Sequence, residues 1–228
     1  MSLLDLKKEL KAKENPEKAK ILQRFFKTGP GEYGEGDVFF GIVVPEIRET
    51  VKKYAALKLE DVTRLLHSKI HEERLAAIFI MVSRFQTEKE RIYSLYLKNT
   101  RYVNNWDLVD LSADKIVGTY LLNKPKSILY TLAKSKNVWE RRIAVMATFN
   151  FIKNSQFAET FKIAKILLND EHDLIHKAVG WMLREVGKRD SKIQETFLKK
   201  HYKNMPRTML RYAIERLPEK KRKQYLST

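Results

Sequence analysis

The chain has 228 residues and is strongly basic, with 45 Lys plus Arg against 28 Asp plus Glu and a formal net charge of +17. Hydrophobic residues make up 43% of it, while glycine and proline are few (8 and 6), so it can build a core and is neither β-rich nor disordered by composition. The lack of cysteine excludes disulfides, thiolate zinc sites and thiol nucleophiles, and the charge points to an anionic partner, nucleic acid ahead of a membrane surface.

In chain order, Ser2 caps a helix over 2–13, and Asn15 with Pro16 opens a second over 16–28. Residues 29–41 hold five of the eight glycines and read as a loop. The loop lacks the Lys-Ser/Thr ending of a phosphate cradle, and Glu32, Glu35 and Asp37 would repel phosphate, so a structural loop or lid is expected. Further helices are expected at about 45–56, 60–67, 71–85, 88–98, 105–122, 125–134, 138–153, 155–168, 172–188, 190–201 and 206–216. Pro45, Pro125 and Pro206 mark helix starts, and the tail 218–228 is basic.

Three segments align without gaps, beginning at Ser68, Ser135 and Asp170, with offsets of 67 and 35 residues. A period near 33–35 built from helix pairs predicts an all-α fold, an α-solenoid of HEAT-like helical repeats with a concave basic groove. The whole chain, 1–228, is expected to form a single domain of this kind. No run approaches the ~20 apolar residues of a membrane span, and the N-terminus carries no apolar signal region, so a cytoplasmic protein without a membrane partner is expected. The pairs His67/His71 and His172/His176 have metal-ligand spacing but lack the Glu of an H-E-x-x-H motif, and no metal is expected.

Asn104-Asn-Trp106-Asp-Leu-Val-Asp110 carries the most information. It sets Trp106 and Asp110 four residues apart, on one helical face. On a wheel of about 100° per residue, Asp110 falls at the edge of the apolar stripe, whereas Asp107 and Asp114 lie near a polar face. Asp110 reads either as an acid favoured in a first helical turn or as a functional carboxylate. Arg142 takes the repeat position held by Leu75 and Lys177, either facing an anionic groove or forming a solvated pair with Glu140. Lys177, Trp181, Arg184 and Lys188 share one face, an arrangement in which cations neutralise phosphates while the indole packs on sugar. The alternative is a core tryptophan flanked by snorkelling cations.

Val103-Asn-Asn-Trp106-Asp-Leu-Val-Asp110, Asn137-Val-Trp-Glu-Arg141-Arg142 and His176-Lys-Ala-Val-Gly-Trp181-Met-Leu-Arg-Glu185 together resemble the AlkD family of DNA alkylation repair glycosylases. Asn15-Pro-Glu-Lys-Ala-Lys and Val44-Pro-Glu-Ile-Arg48 add to the resemblance, which covers roughly residues 15–217. It implies a glycosylase of base-excision repair that releases N3- and N7-alkylpurines from double-stranded DNA, without needing to flip the lesion and without a cofactor. It further implies that Asp110 matches the catalytic aspartate, that Trp106 and Trp181 match the site tryptophans, and that Arg142 matches the DNA-gripping arginine. Lys177 would hold a nearby phosphate, with Arg141, Arg184 and Lys188 as further nucleic-acid contacts, and a monomer is expected. Asn105 before Trp106, where some members have an aromatic residue, departs from the family pattern, and the Gly-rich loop is longer than in some members. The competing reading is a non-catalytic nucleic-acid-binding repeat module. A protein-interaction scaffold fits the charge poorly.

Overall fold

The structure, a computed structural model, describes residues 1–227. These are helical throughout, apart from turns and one isolated parallel bridge between Val38 and Ile70. The helices gather into two compact units, Met1–Ser112 and Ala113–Thr228.

The first unit holds α1 (Leu3–Lys11), α2 (Pro16–Phe25), α3 (Val44–Lys52), α4 (Leu59–Leu66), α5 (His71–Arg84), α6 (Lys89–Lys98), a 3-10 turn at Thr100–Tyr102 and α7 (Trp106–Asp110). Ser2 closes a capping box with Asp5, and the Asn15 side chain accepts the Lys18 amide ahead of Pro16, so both helix starts follow local chemistry. α2 ends at Phe25 rather than 28, and Lys27 follows at φ +52, which no helix continues through. α5 is the unit's axis. It is buried without a break from His71 to Met81 and packs against α1, α3, α4, α6 and α7.

The second unit begins with a π turn at Asp114–Gly118 that runs into α8 (Thr119–Leu121). Then come α9 (Ser127–Ala133), α10 (Val138–Lys153), α11 (Ala158–Ile166), α12 (Asp173–Gly187), α13 (Ser191–His201), α14 (Arg207–Ile214) and α15 (Glu219–Leu226). α10 packs on α9, α11 and α12, and α12 packs on α13 and α14. This stacking of each helix pair on its neighbours is how a helical repeat builds a core. α11 starts at Ala158 rather than 155, because Ser155 adopts φ +57 and turns the chain. The basic tail forms α15, which buries no side chain. Among the described residues no helix is long and apolar enough to cross a membrane.

The repeat is visible in its hydrogen bonds. Ser68 Oγ accepts the Ile70 amide at 3.0 Å, Ser135 Oγ the Asn137 amide at 3.1 Å, and Asp170 Oδ1 the His172 amide at 2.9 Å. Six residues on, Arg74 and Arg141 each donate Nη1 to the carbonyl of their own turn, at 2.9 Å from Ser68 and Ser135. His176 makes the equivalent contact with the Asp170 carbonyl. One polar turn, closed by its own helix, therefore recurs at the aligned positions.

The expected continuous helix 105–122 is not found. α7 ends at Asp110, a turn follows, and the chain resumes as the π turn. The i→i+5 bonding of that turn advances each residue by less than the α-helical angle, so a wheel at 100° fails beyond Asp110. Asp114 is accordingly buried, with Lys153 on its carboxylate at 2.8 Å, instead of lying on a polar face.

Candidate functional site

α7 is five residues long and is set in place from outside. Asn105, fully buried, caps it by accepting the Trp106 amide on Oδ1 at 2.8 Å. Asp107, Leu108 and Val109 are buried, while Trp106 and Asp110 stay partly exposed. The pair one turn apart is thus the open face of a helix that is otherwise enclosed. Trp106 lies flat on Phe26, with ring centroids 5.1 Å apart and planes 13° apart, and meets the exposed Phe25 edge-on at 5.8 Å. Phe26 stacks in turn on Phe39 at 5.1 Å, and His71 stacks on Phe39 at 4.5 Å. The indole is therefore the outer member of a packed aromatic column.

Behind this column lies a buried polar network. Asp37 Oδ2 pairs with Arg74 Nη2 at 2.6 Å, accepts from Asn105 Nδ2 at 3.3 Å and faces His71 Nδ1 at 3.4 Å. The other imidazole nitrogen, Nε2, is 2.8 Å from Asp107 Oδ2. Burial opposes protonation of His71, but Asp107 and Asp37 outweigh it and raise the ring to about 9. Burial likewise pushes the Asp37 carboxyl up, yet His71 and Arg74 hold it below the usual carboxylate value. The expectation that Asp107 lies near a polar face is corrected here: it is 7% exposed and turned to His71.

The Gly-rich loop enters this network through Asp37 and is anchored just after it. The amides of Phe40, Gly41 and Ile42 all donate to the Glu72 carboxylate, at 3.0, 2.8 and 3.2 Å, and Glu72 is 1% exposed. Glu32 and Glu35 accept amides of the loop itself. The loop's acids thus tie the loop down.

In the second unit, Lys177, Trp181, Arg184 and Lys188 share a face of α12, and acids accompany all four. Lys177 pairs with Asp173 at 2.6 Å, Lys188 with Glu185 at 2.6 Å and Arg184 with Glu215. The half-buried Trp181 donates Nε1 to Glu185 at 3.2 Å. Burial raises the Glu185 carboxyl, but Lys188, Arg189 and Trp181 lower it further than burial lifts it. Arg142 is 5% exposed and donates to the Leu174 carbonyl at 2.6 Å, a buried guanidinium that is neither solvated nor open to a groove. Arg141 gives Nε to Asp170 at 2.6 Å and Nη1 to the carbonyls of Ser135 and Lys136. His67 is hydrogen-bonded to Asn99 and stacked on Tyr102, and His172 caps α12.

Sequence reasoning missed Phe25, Phe26, Asp37 and His71 as parts of this site. The acids on the α12 face were visible by spacing, since Asp173 stands four residues before Lys177 and Glu185 four after Trp181. Glu215 carried no such signal.

A family model for DNA alkylation repair enzymes matches residues 6–217. No curated protein matches the chain. A solved structure of a predicted DNA alkylation repair enzyme from Enterococcus faecalis is similar with a TM-score of 0.74 and 21% identity, over 91% of this chain and 98% of that one, a likeness of fold. With its helical repeats and a family match that spans nearly its whole length, the chain belongs to the DNA alkylation repair enzyme family.

Proposed function

We propose that the protein is a monofunctional DNA glycosylase that hydrolyses the N-glycosidic bond of cationic N3- and N7-alkylpurines in duplex DNA, acting as a monomer and without flipping the lesion. The observation that carries the reading is the Trp106–Asp110 face, an indole and a carboxylate both partly exposed on an otherwise enclosed helix of a +17 chain. A carboxylate is unsuited to holding phosphate, so one that faces DNA has another task. Family membership supplies the alkylated-DNA context.

The chemistry asks little of the protein. Alkylation leaves the purine positively charged, so the C1′–N bond breaks with its electron pair going to a base that departs neutral. The sugar develops oxocarbenium character, a water oxygen adds at C1′, and a water proton is lost. No general acid, metal or cofactor is needed for departure. Asp110 supplies the opposing charge and orients the water, as carboxylates do in glycoside hydrolysis. Trp106 and Trp181 pack on deoxyribose and backbone. Lys177 holds a backbone phosphate, with Arg184 and Lys188 as further basic groups, while Arg142 and Arg141 are held by carbonyls and by Asp170 inside the fold.

Single-turnover release of 7-methylguanine from methylated duplex DNA tests this. Asp110→Asn should slow release by on the order of 10²-fold or more, as for other preorganised electrostatic groups. Its affinity for undamaged duplex should hold or tighten slightly. Asp107→Asn is no neutral control, because Asp107 is buried against His71; the exposed Glu171→Gln serves instead. Equal rates for wild type and a folded Asp110→Asn variant would leave the non-catalytic binding module as the better reading.

A further inference from the structure

His71 has carboxylate oxygens on both ring nitrogens, Asp37 Oδ2 by Nδ1 and Asp107 Oδ2 by Nε2. An ionised carboxylate only accepts hydrogen bonds and a neutral imidazole carries one N–H, so a neutral ring protonated on Nε2 would serve Asp107, turn its Nδ1 lone pair to Arg74 Nη2 at 3.4 Å and give Asp37 no bond. Only the imidazolium donates on both sides. With it, the buried set of Asp37, Asp107, Arg74 and His71 sums to zero charge; without it, a net negative charge stays sealed in the unit. The charged groups facing His71 are Asp37 from the loop, Arg74 from its own helix and Asp107 from α7. Phe26, which follows α2, and Phe39, within the loop, face it with their rings.

The two residues flanking Trp106 are both held by this set. Asn105 caps α7 with one side-chain atom and donates to Asp37 with the other, and Asp107 is bound to His71. A five-residue helix lacks the internal bonding to fix its own orientation. We propose, building on the glycosylase reading of the Trp106–Asp110 face, that the His71 imidazolium is a positioning residue: bridging Asp37 and Asp107, it sets the orientation of α7 and couples the Gly-rich loop to that face.

Two readouts test this, one free of any activity. In protein labelled with 5-fluorotryptophan, with resonances assigned by Trp106→Phe and Trp181→Phe, the Trp106 signal and its H2O/D2O isotope shift report how open the indole is. In ¹³C-histidine-labelled wild type, His71 should remain an imidazolium at pH 7 and titrate near the alkaline value of about 9. The Trp106 isotope shift should grow over the same pH range, with Trp181 unmoved. A His71 that titrates near its ordinary value, or a Trp106 signal that ignores its titration, overturns the proposal even if base release is abundant.

The second readout is His71→Gln at pH 7. It should alter the Trp106 isotope shift and lower single-turnover base release by about 10- to 100-fold, the scale of a misplaced reacting group. Affinity for undamaged duplex should stay within about twofold, since that affinity comes from phosphate contacts. Base release equal to wild type overturns the proposal. If wild type releases no base at all, the glycosylase reading has failed, and the Trp106 and His71 titrations still decide the positioning role. If His71→Gln does not fold, the wild-type titration decides alone.

Discussion

Asp107 Oδ2 and His71 Nε2 lie 2.8 Å apart inside the first unit, and the pair ties the stability of that unit to alkaline pH. In the fold the ring is raised from 6.5 to about 9. Its contribution is therefore fully present below about pH 6.5 and is lost as pH climbs through about 9, on the order of 3 kcal/mol in all. Wild type should lose several degrees of Tm between about pH 7 and 10, beyond what general alkaline effects produce. Asp107→Asn removes the nearer of the two charges. It should lower Tm at pH 7 by roughly 6–12 °C, as breaking a buried pair does, and flatten the alkaline limb. Parallel melting curves for the two proteins across that range would show that His71 is not the titrating group.

The reach of the sequence follows the range of the interactions. Ser2, Asn15 and the polar turns at Ser68, Ser135 and Asp170 act within a few residues, and each does in the fold what its position announces. The helical-repeat fold was legible for that reason. Asp107 was misread because its partner stands 36 residues earlier, and a wheel carries no information about what packs on a helix. The π turn at Asp114–Gly118 leaves no local signature that a wheel detects, so Asp114 was misread too. Arg141 looked available to a ligand, yet its guanidinium is directed to Asp170 and to two carbonyls, a geometry that only the folded turn creates. Trp106 and Asp110 were legible as a pair on one face, but the aromatic column under Trp106 was not, because Phe26 and Phe39 reach it from separate segments.

Two glycines of the loop region should respond very differently to alanine. Gly41 sits at φ +85, and a Cβ there would fall 2.2 Å from the Asn15 carbonyl oxygen and 2.6 Å from the Ala19 nitrogen. The backbone at the start of α2 would have to move, and the three amides on Glu72 with it. Gly31 sits at φ +76 with nothing within 4 Å of a Cβ. Gly31→Ala should cost about 1–2 kcal/mol, the conformational penalty alone. Gly41→Ala should cost more than about 3 kcal/mol or fail to fold, because a clash adds to that penalty. Equal melting temperatures for the two variants would refute the close approach of the loop to α2.

On the proposed function, DNA competes with internal acids for the cations of α12, and this sets the expected salt behaviour. Lys177 and Asp173 are both substantially exposed and 2.6 Å apart, a pair worth at most about 1 kcal/mol. A phosphate arriving at Lys177 would displace a weak partner and release counterions. Duplex affinity should fall steeply from about 50 to 200 mM salt, with log K losing about 0.9 per log unit of salt for each phosphate held. Lys177→Gln should reduce that slope by about one contact. Asp173→Asn removes the competing acid and should tighten binding by about two- to fivefold at low salt, with the slope preserved. Arg141→Lys should act mainly on Tm, since a lysine cannot serve Asp170 and two carbonyls together, and should leave the slope near that of wild type. Fluorescence anisotropy on one undamaged duplex measures all four proteins. A flat salt dependence in wild type would refute phosphate-driven binding. An Asp173→Asn variant that binds no tighter than wild type would show that Lys177 meets no phosphate.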